Sequence, residues 1–297
     1  MTIAPPDELD ASGDLRVSPT YMGQVITASG AREQTRRAIE RARELGDDEV
    51  LRRALMYRGW YIVEMARRFG DSPIVPNGDV LTKEGQYSIA LDYFGDAIEL
   101  SDPPADSIRL RALAGIARVQ WELGREEIDV ERLGVAIDAA REVLTHDPDF
   151  VFLSVPDFNF LRTLVDFFTY TPGPGFEDIP FWWNDPSQPQ GNKFMDGVGL
   201  RLIIAESQLL LGELEMAKAT LAAIPLLATN HVRLAGRDPA GPPLTPSEVA
   251  AFIDSLDADG VRFAISELWR ENFYAQGHRA EGPKGRIWPV PLPPGYY

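Results

Sequence analysis

The run Phe181-Trp182-Trp183-Asn184-Asp185 holds the residue types best suited to gripping a ligand without changing it. Indole and phenyl faces pack on the apolar C–H face of a sugar ring, while a neighbouring carboxamide and carboxylate satisfy its hydroxyls. Tyr170 and Phe176 stand in the same proline- and glycine-rich stretch and could extend such a platform. The same rings could equally anchor a long loop to a core, and the sequence leaves both roles open. Trp60, set in a regular helical pattern, reads as core.

Other chemistry finds little support in the residue pattern. His146, His231 and His278 are far apart, and none has a second histidine at metal-ligand spacing. Asp257-Ala-Asp259-Gly260 has the beginning of a calcium loop that starts at Ser255, but Ser266 stands where the bidentate glutamate is required. A turn between two helices explains it better. Adjacent acids such as Glu126-Glu127 point in different directions and read as solvated charge, not as an acid–base pair. No Gly-x-Ser-x-Gly elbow, phosphate-binding loop or dinucleotide fingerprint occurs. The expectation is a protein with no catalytic residue, no metal and no cofactor.

The composition narrows the partners. The chain has 297 residues, enough for one large core or two modest ones. Its formal net charge of -16 repels phosphate backbones, so nucleic acid is not an expected partner, and most of the acid reads as solubilising. The absence of cysteine excludes disulfides, thiolate metal sites and thiol catalysis. No apolar stretch reaches the ~20 residues of a membrane span. Residues 1–15 contain Asp7, Glu8, Asp10 and Asp14 and no base, the opposite of a signal-peptide start. Either a cytosolic protein or one whose signal was removed ahead of residue 1 would look like this.

These candidate residues need elements to hold them. Residues 1–28 are expected to form a loose leader ahead of a single helical domain over 29–297, with an irregular insertion at about 147–194. Helical periodicity predicts helices near 29–46, 48–69, 83–101, 105–124, 129–146, 195–212, 213–227, 245–256 and 260–276. Gly70, Gly124, Gly212 and Gly277 stand just past four of these ends as C-terminal caps. Thr245-Pro246-Ser247-Glu248 is a helix start with its own capping box. Within 147–194 a short helix near 158–169 is expected, and the rest as a long loop. A second insertion spans 228–244, and the proline-rich tail from Pro283 to Tyr297 is expected to be extended.

Three segments share one pattern: Gln86–Pro103 with Ala90, Phe94 and Ala97; Ala112–Pro148 with Trp121-Glu-Leu-Gly124 and Ala136; and Leu209-Leu-Leu-Gly212 followed by Ala217. Small residues at these offsets match tetratricopeptide repeats. Alanine and glycine let two helices approach, and Phe94 and Trp121 fill the holes beside them, while each hairpin leaves an apolar face for its neighbour. The fold class expected is mainly all-α: tetratricopeptide-like helical hairpin repeats with long irregular aromatic and proline-rich insertions.

The segment Leu55–Pro73, ending in Phe69-Gly70-Asp71-Ser72-Pro73, resembles the first long helix of the SusD/RagB-like nutrient-binding lipoproteins of Gram-negative outer membranes. Lys193-Phe194 ahead of Gly199-Leu-Arg-Leu-Ile-Ile-Ala-Glu206-Ser207 looks like the family's next signature helix. Ile265-Ser-Glu-Leu-Trp-Arg through Gln276-Gly277-His278-Arg279 is similar to its closing helix, and Trp288-Pro289-Val290-Pro291 to its terminal strand. Gln276 and Asn272 stand where the family usually has glutamate. Arg279 is expected to pair with a carboxylate.

The resemblance implies a non-catalytic protein at the cell outer membrane, surface-exposed or periplasmic. It would capture an oligosaccharide or other nutrient for a TonB-dependent outer-membrane transporter. On that reading Trp182, Trp183, Phe181, Asn184, Tyr170 and Phe176 are the ligand-binding candidates. The alternative is a cytoplasmic tetratricopeptide scaffold that binds a peptide or protein partner in its groove.

Overall fold

The structure is a computed structural model, and it describes residues 34–74, 78–101, 105–153, 193–224, 244–272, 280–281 and 287–288. The described residues are mostly helical, as the periodicity predicts. They fall into two compact units, residues 1–119 and 120–297. Helix α4 carries the chain from one unit into the other.

In the first unit, α1 covers residues 34–45 and α2 covers Asp48–Phe69. The Asp47 side chain caps α2 by accepting from Val50 N, and Asp48 and Glu49 place negative charge at the positive end of the helix. Gly70, at φ 61, ends α2 and donates to Ala66 O, in the capping role expected of it. Strands β1 (Ser72–Pro73) and β2 (Val80–Leu81) then form a short antiparallel ribbon that leads into α3 (Lys83–Glu99). Gln86 holds this turn from beneath. Fully buried, it donates to Gly70 O at 2.8 Å and Leu81 O at 3.1 Å and accepts from Ser72 Oγ at 3.2 Å. The Gly70–Pro73 turn is thus fixed by a side chain sixteen residues onward, which the local sequence gives no hint of.

Helices α2 and α3 pack as a hairpin, and α4 (Ser107–Gly124) lays its first turns beside them. Phe94 is the knob. A methyl group built at Gly59 on α2 would sit 2.5 Å from its ring, and one at Gly115 on α4 only 2.3 Å away. Both glycines are empty of side chain because the phenyl ring occupies that space. Trp60 meets Phe94 edge-on, with centroids 5.9 Å apart, and its indole N–H donates to Arg111 O. Both rings are fully buried, which places Trp60 in the core as expected. Arg52 joins α2 to the start of α4 through Asp106 and also pairs with Glu49 on its own helix.

The second unit takes over in the last turns of α4. It continues through α5 (Val130–His146), β3 (Val151–Leu153), β4 (Lys193–Asp196), α6 (Gly197–Leu210), α7 (Leu214–Ala222), α8 (Pro246–Asp254) and α9 (Ala258–Asn272). The paired strands β5 (Ala280–Glu281) and β6 (Ile287–Trp288) follow. Gly124 faces Leu133 and Arg132 of α5 at 3.1 Å from where a Cβ would lie, so it permits close packing there. It is the last residue of α4 and does not take up the left-handed cap conformation that its position predicts. At that corner Ile128 has the positive φ, at 54°.

A core of Leu202, Ala205, Ala217, Leu221, Val261 and Leu268 joins α6, α7 and α9. Alanines 205 and 217 are fully buried where α6 and α7 approach most closely. Gln208 ties three helices. With its amide oriented to satisfy both sides, it donates to Met216 O and Thr220 Oγ1 on α7 and accepts from Arg141 on α5. Thr245 and Glu248 form the predicted capping box of α8, and Lys218 Nζ donates to Asp254 O at the other end of that helix. Asp257, the first acid of the calcium-like run, accepts from Gly260 N and caps α9, while Asp259 pairs with Arg262. That run is the helix-to-helix turn expected.

Candidate functional site

All six predicted ligand-binding residues, Phe181, Trp182, Trp183, Asn184, Tyr170 and Phe176, lie outside the described residues, as does the short helix expected near 158–169. The chain on both sides of them is described in detail. It leaves α5 through β3 and returns through β4, and these two strands pair antiparallel, with Phe152 opposite Met195 and Val151 opposite Asp196. The two ends of the aromatic segment are therefore hydrogen-bonded to each other. The periodicity gave no strand here; Val151-Phe152-Leu153 and Phe194-Met195 are too short to stand out from a loop.

This stem is buried on its inner side. The rings of Phe152 and Phe194 lie 5.0 Å apart, and both, with Met195, are shielded from solvent. The base is tied further. Gly197 N donates to Phe150 O at 2.7 Å, and Arg201 reaches both Gly197 O and Pro148 O. A Cβ at Gly197 would lie 3.0 Å from Pro148 O, so glycine eases the close approach of the start of α6 to the end of α5.

Where β4 turns into α6, Asp196 is buried and caps the helix, its carboxylate accepting from Gly199 N at 2.8 Å. The same oxygen accepts from Asn272 Nδ2, also at 2.8 Å, from the far end of α9. This contact gives a physical reason for an asparagine at 272. A carboxylate at 272 would face the Asp196 carboxylate in a buried site, whereas a carboxamide donates to it. Two of the sequence segments singled out, Lys193–Ser207 and Ile265–Asn272, are thereby joined.

A second junction involves α4, α6 and α9. Trp121 of α4 is buried and stacks on the partly exposed Trp269 of α9, with centroids 5.3 Å apart and planes 27° from parallel. The Arg125 guanidinium sits 4.3 Å from the Trp121 ring centre, a cation held against an aromatic face. Glu206 of α6 closes the group, accepting from Trp269 Nε1 at 3.2 Å and lying 3.9 Å from Arg125. The sequence put Trp121, Glu206 and Trp269 in three separate motifs and singled out nothing at Arg125.

These polar groups are occupied by one another. The arrangement positions and rigidifies; it offers no carboxylate pair spaced around an open cleft. Among the described residues, no group of three or more histidines and acids is placed to hold a metal ion, and no helix is long and apolar enough to cross a membrane. His146 sits exposed at the end of α5, while His231, His278 and Arg279 lie outside the described residues. Trp269→Phe keeps a ring in the stack and removes the donor to Glu206. Since Glu206 is part-exposed and water can substitute, the expected loss is about 1 kcal/mol, to be read from urea unfolding.

No protein-family model matches the chain, and no curated protein matches it. Among solved structures the chain is similar to a SusD-like carbohydrate binding protein from Bacteroides vulgatus ATCC 8482, at 12% sequence identity and a TM-score of 0.44. That likeness covers 77% of this chain and 61% of the other, so the chain spans less than two thirds of its length.

Proposed function

We propose that the chain is a non-catalytic binding protein that captures a glycan or similar nutrient on the aromatic segment between β3 and β4. One observation supports this most. The segment that carries Phe181, Trp182, Trp183, Asn184, Tyr170 and Phe176 begins and ends on one paired ribbon with a buried aromatic base. A closed base lets a binding segment present its side chains from a fixed frame, which lowers the ordering cost of capture. The order of the family-like segments adds to the reading, as does the contact between two of them through Asp196 and Asn272.

In this proposal the rings stack on the sugar, Asn184 and Asp185 meet its hydroxyls, and no bond is broken. The captured ligand would pass to a TonB-dependent outer-membrane transporter, with the protein at the outer membrane. The test is intrinsic tryptophan fluorescence, titrated with a panel of oligosaccharides and peptides, for the wild type and for Trp182→Ala/Trp183→Ala. A saturable change with one glycan class, lost in the double variant, is the expected result. A response to peptides alone would replace the proposal with the scaffold reading, for which the packed hairpins α2–α3 and α6–α7 are the supporting observation.

A further inference from the structure

Among the described residues, three helix ends share one backbone device. A backbone amide beyond the helix reaches back five residues to a carbonyl of its last turn: Asp47 N to Ala42 O, Asp129 N to Gly124 O, and Glu213 N to Gln208 O. This bond forces the residue before the donor into the left-handed region, where glycine is favoured. Two of the corners use glycine there, Gly46 at φ 65 and Gly212 at φ 81. The third uses Ile128, at φ 54. A β-branched side chain is the most costly choice at such a position. Burial does not offset the cost, because Ile128 is 50% exposed and its neighbour Val130 is 67% exposed. A strained backbone that burial does not offset points to a role for this side chain in contact outside the chain.

The surroundings indicate what that contact is. Glu126, Glu127 and Glu131 are exposed and flank the two apolar residues in sequence, and the chain as a whole carries a charge of -16. Asp129 is engaged within the corner, capping Arg132 N and pairing with the Arg132 side chain. An exposed apolar pair flanked by carboxylates complements an apolar notch flanked by bases, and it repels phosphate-rich partners. We propose that the Ile128–Val130 corner is a docking knob for a protein segment that presents lysine or arginine around an apolar notch. The proposal uses no part of the glycan reading and stands or falls separately.

The chain has no cysteine, so Glu127→Cys gives a single site for an environment-sensitive fluorophore on the full-length protein. The probe ligand is a short helical peptide of leucine and lysine, and the same peptide with glutamate for lysine is the control. A saturable blue shift with the lysine peptide only, weakened by salt, is expected. Ile128→Gly/Val130→Ser should then weaken binding by about tenfold, as loss of an interface anchor does. Ile128→Gly alone should melt about 2–4 °C higher than the wild type, which separates loss of contact from loss of fold. An equal response from a fluorophore at Asp92→Cys on α3, unchanged affinity in the double variant, or no rise in melting temperature would overturn the proposal.

Discussion

Gly115→Ala is expected to destabilise the protein by about 1–3 kcal/mol, although alanine is the better helix former by roughly 1 kcal/mol. The added methyl would lie 2.3 Å from Phe94 Cζ, inside any tolerable contact, and the ring is itself held by Gly59 on its other side and by the edge of Trp60. The ring cannot step aside without leaving a rotamer well or pushing helices apart, so overpacking outweighs propensity. Gly95→Ala supplies the comparison. It lies in α3 next to Phe94 in sequence, but nothing stands within 4 Å of its would-be Cβ. That variant should gain about 0.5–1 kcal/mol.

The reverse change at the same contact, Phe94→Ala, should cost about 3–5 kcal/mol by emptying the space between the two glycines. Combining Gly115→Ala with Phe94→Leu should cost less than the two single changes added together, because the smaller side chain makes room for the methyl. Equilibrium urea unfolding of the set checks all four values. Additive losses would mean that the knob does not couple α2, α3 and α4 as its position implies.

Asn272→Asp should cost about 2–4 kcal/mol at neutral pH, since it replaces a buried donor by a second carboxylate beside Asp196. The distance is short, 2.8 Å, and both side chains are buried, so water cannot screen the pair. The loss has a defined pH signature. In the folded variant one proton shared between the two carboxyls restores the hydrogen bond, so the pair holds a proton to higher pH than free aspartates do. The unfolded chain releases that proton first as pH rises. The deficit is therefore small in acid and grows as pH rises through the folded-state value. Asn272→Leu removes the donor without adding charge, and its loss should be smaller and nearly independent of pH. A flat profile for Asn272→Asp would show that the two side chains do not share the site. Because Asp196 also caps α6 at the foot of the β3–β4 stem, the Asp variant should loosen that ribbon ahead of global unfolding. Faster amide exchange at Gly199 than at Leu221 would report it.

Much of the helical framework could be read from the sequence because its signals are local. The 3.6-residue periodicity placed the helices to within a few residues. The cap Thr245 was recognisable because a side chain three residues back satisfies a free amide at the helix start; Asp47 and Asp129 act the same way in the structure. The small residues Ala90, Ala97, Ala136 and Ala217 marked close helix contacts, and all four are fully buried.

Other features depend on residues far apart in the chain. Gly59 and Gly115 belonged to no pattern until Phe94 was found to fill the space over both. The β3–β4 stem joins segments separated by the whole aromatic insertion, and strands this short carry no periodic signal. Asn272 was only a departure from a resemblance until Asp196 stood opposite it. Nothing in the local sequence marks Ile128, since it is the backbone hydrogen bond of its corner that accompanies the positive φ there. Local chemistry chose the elements; the packing of distant side chains decided where the ends of the aromatic segment are anchored and which substitutions the fold can bear.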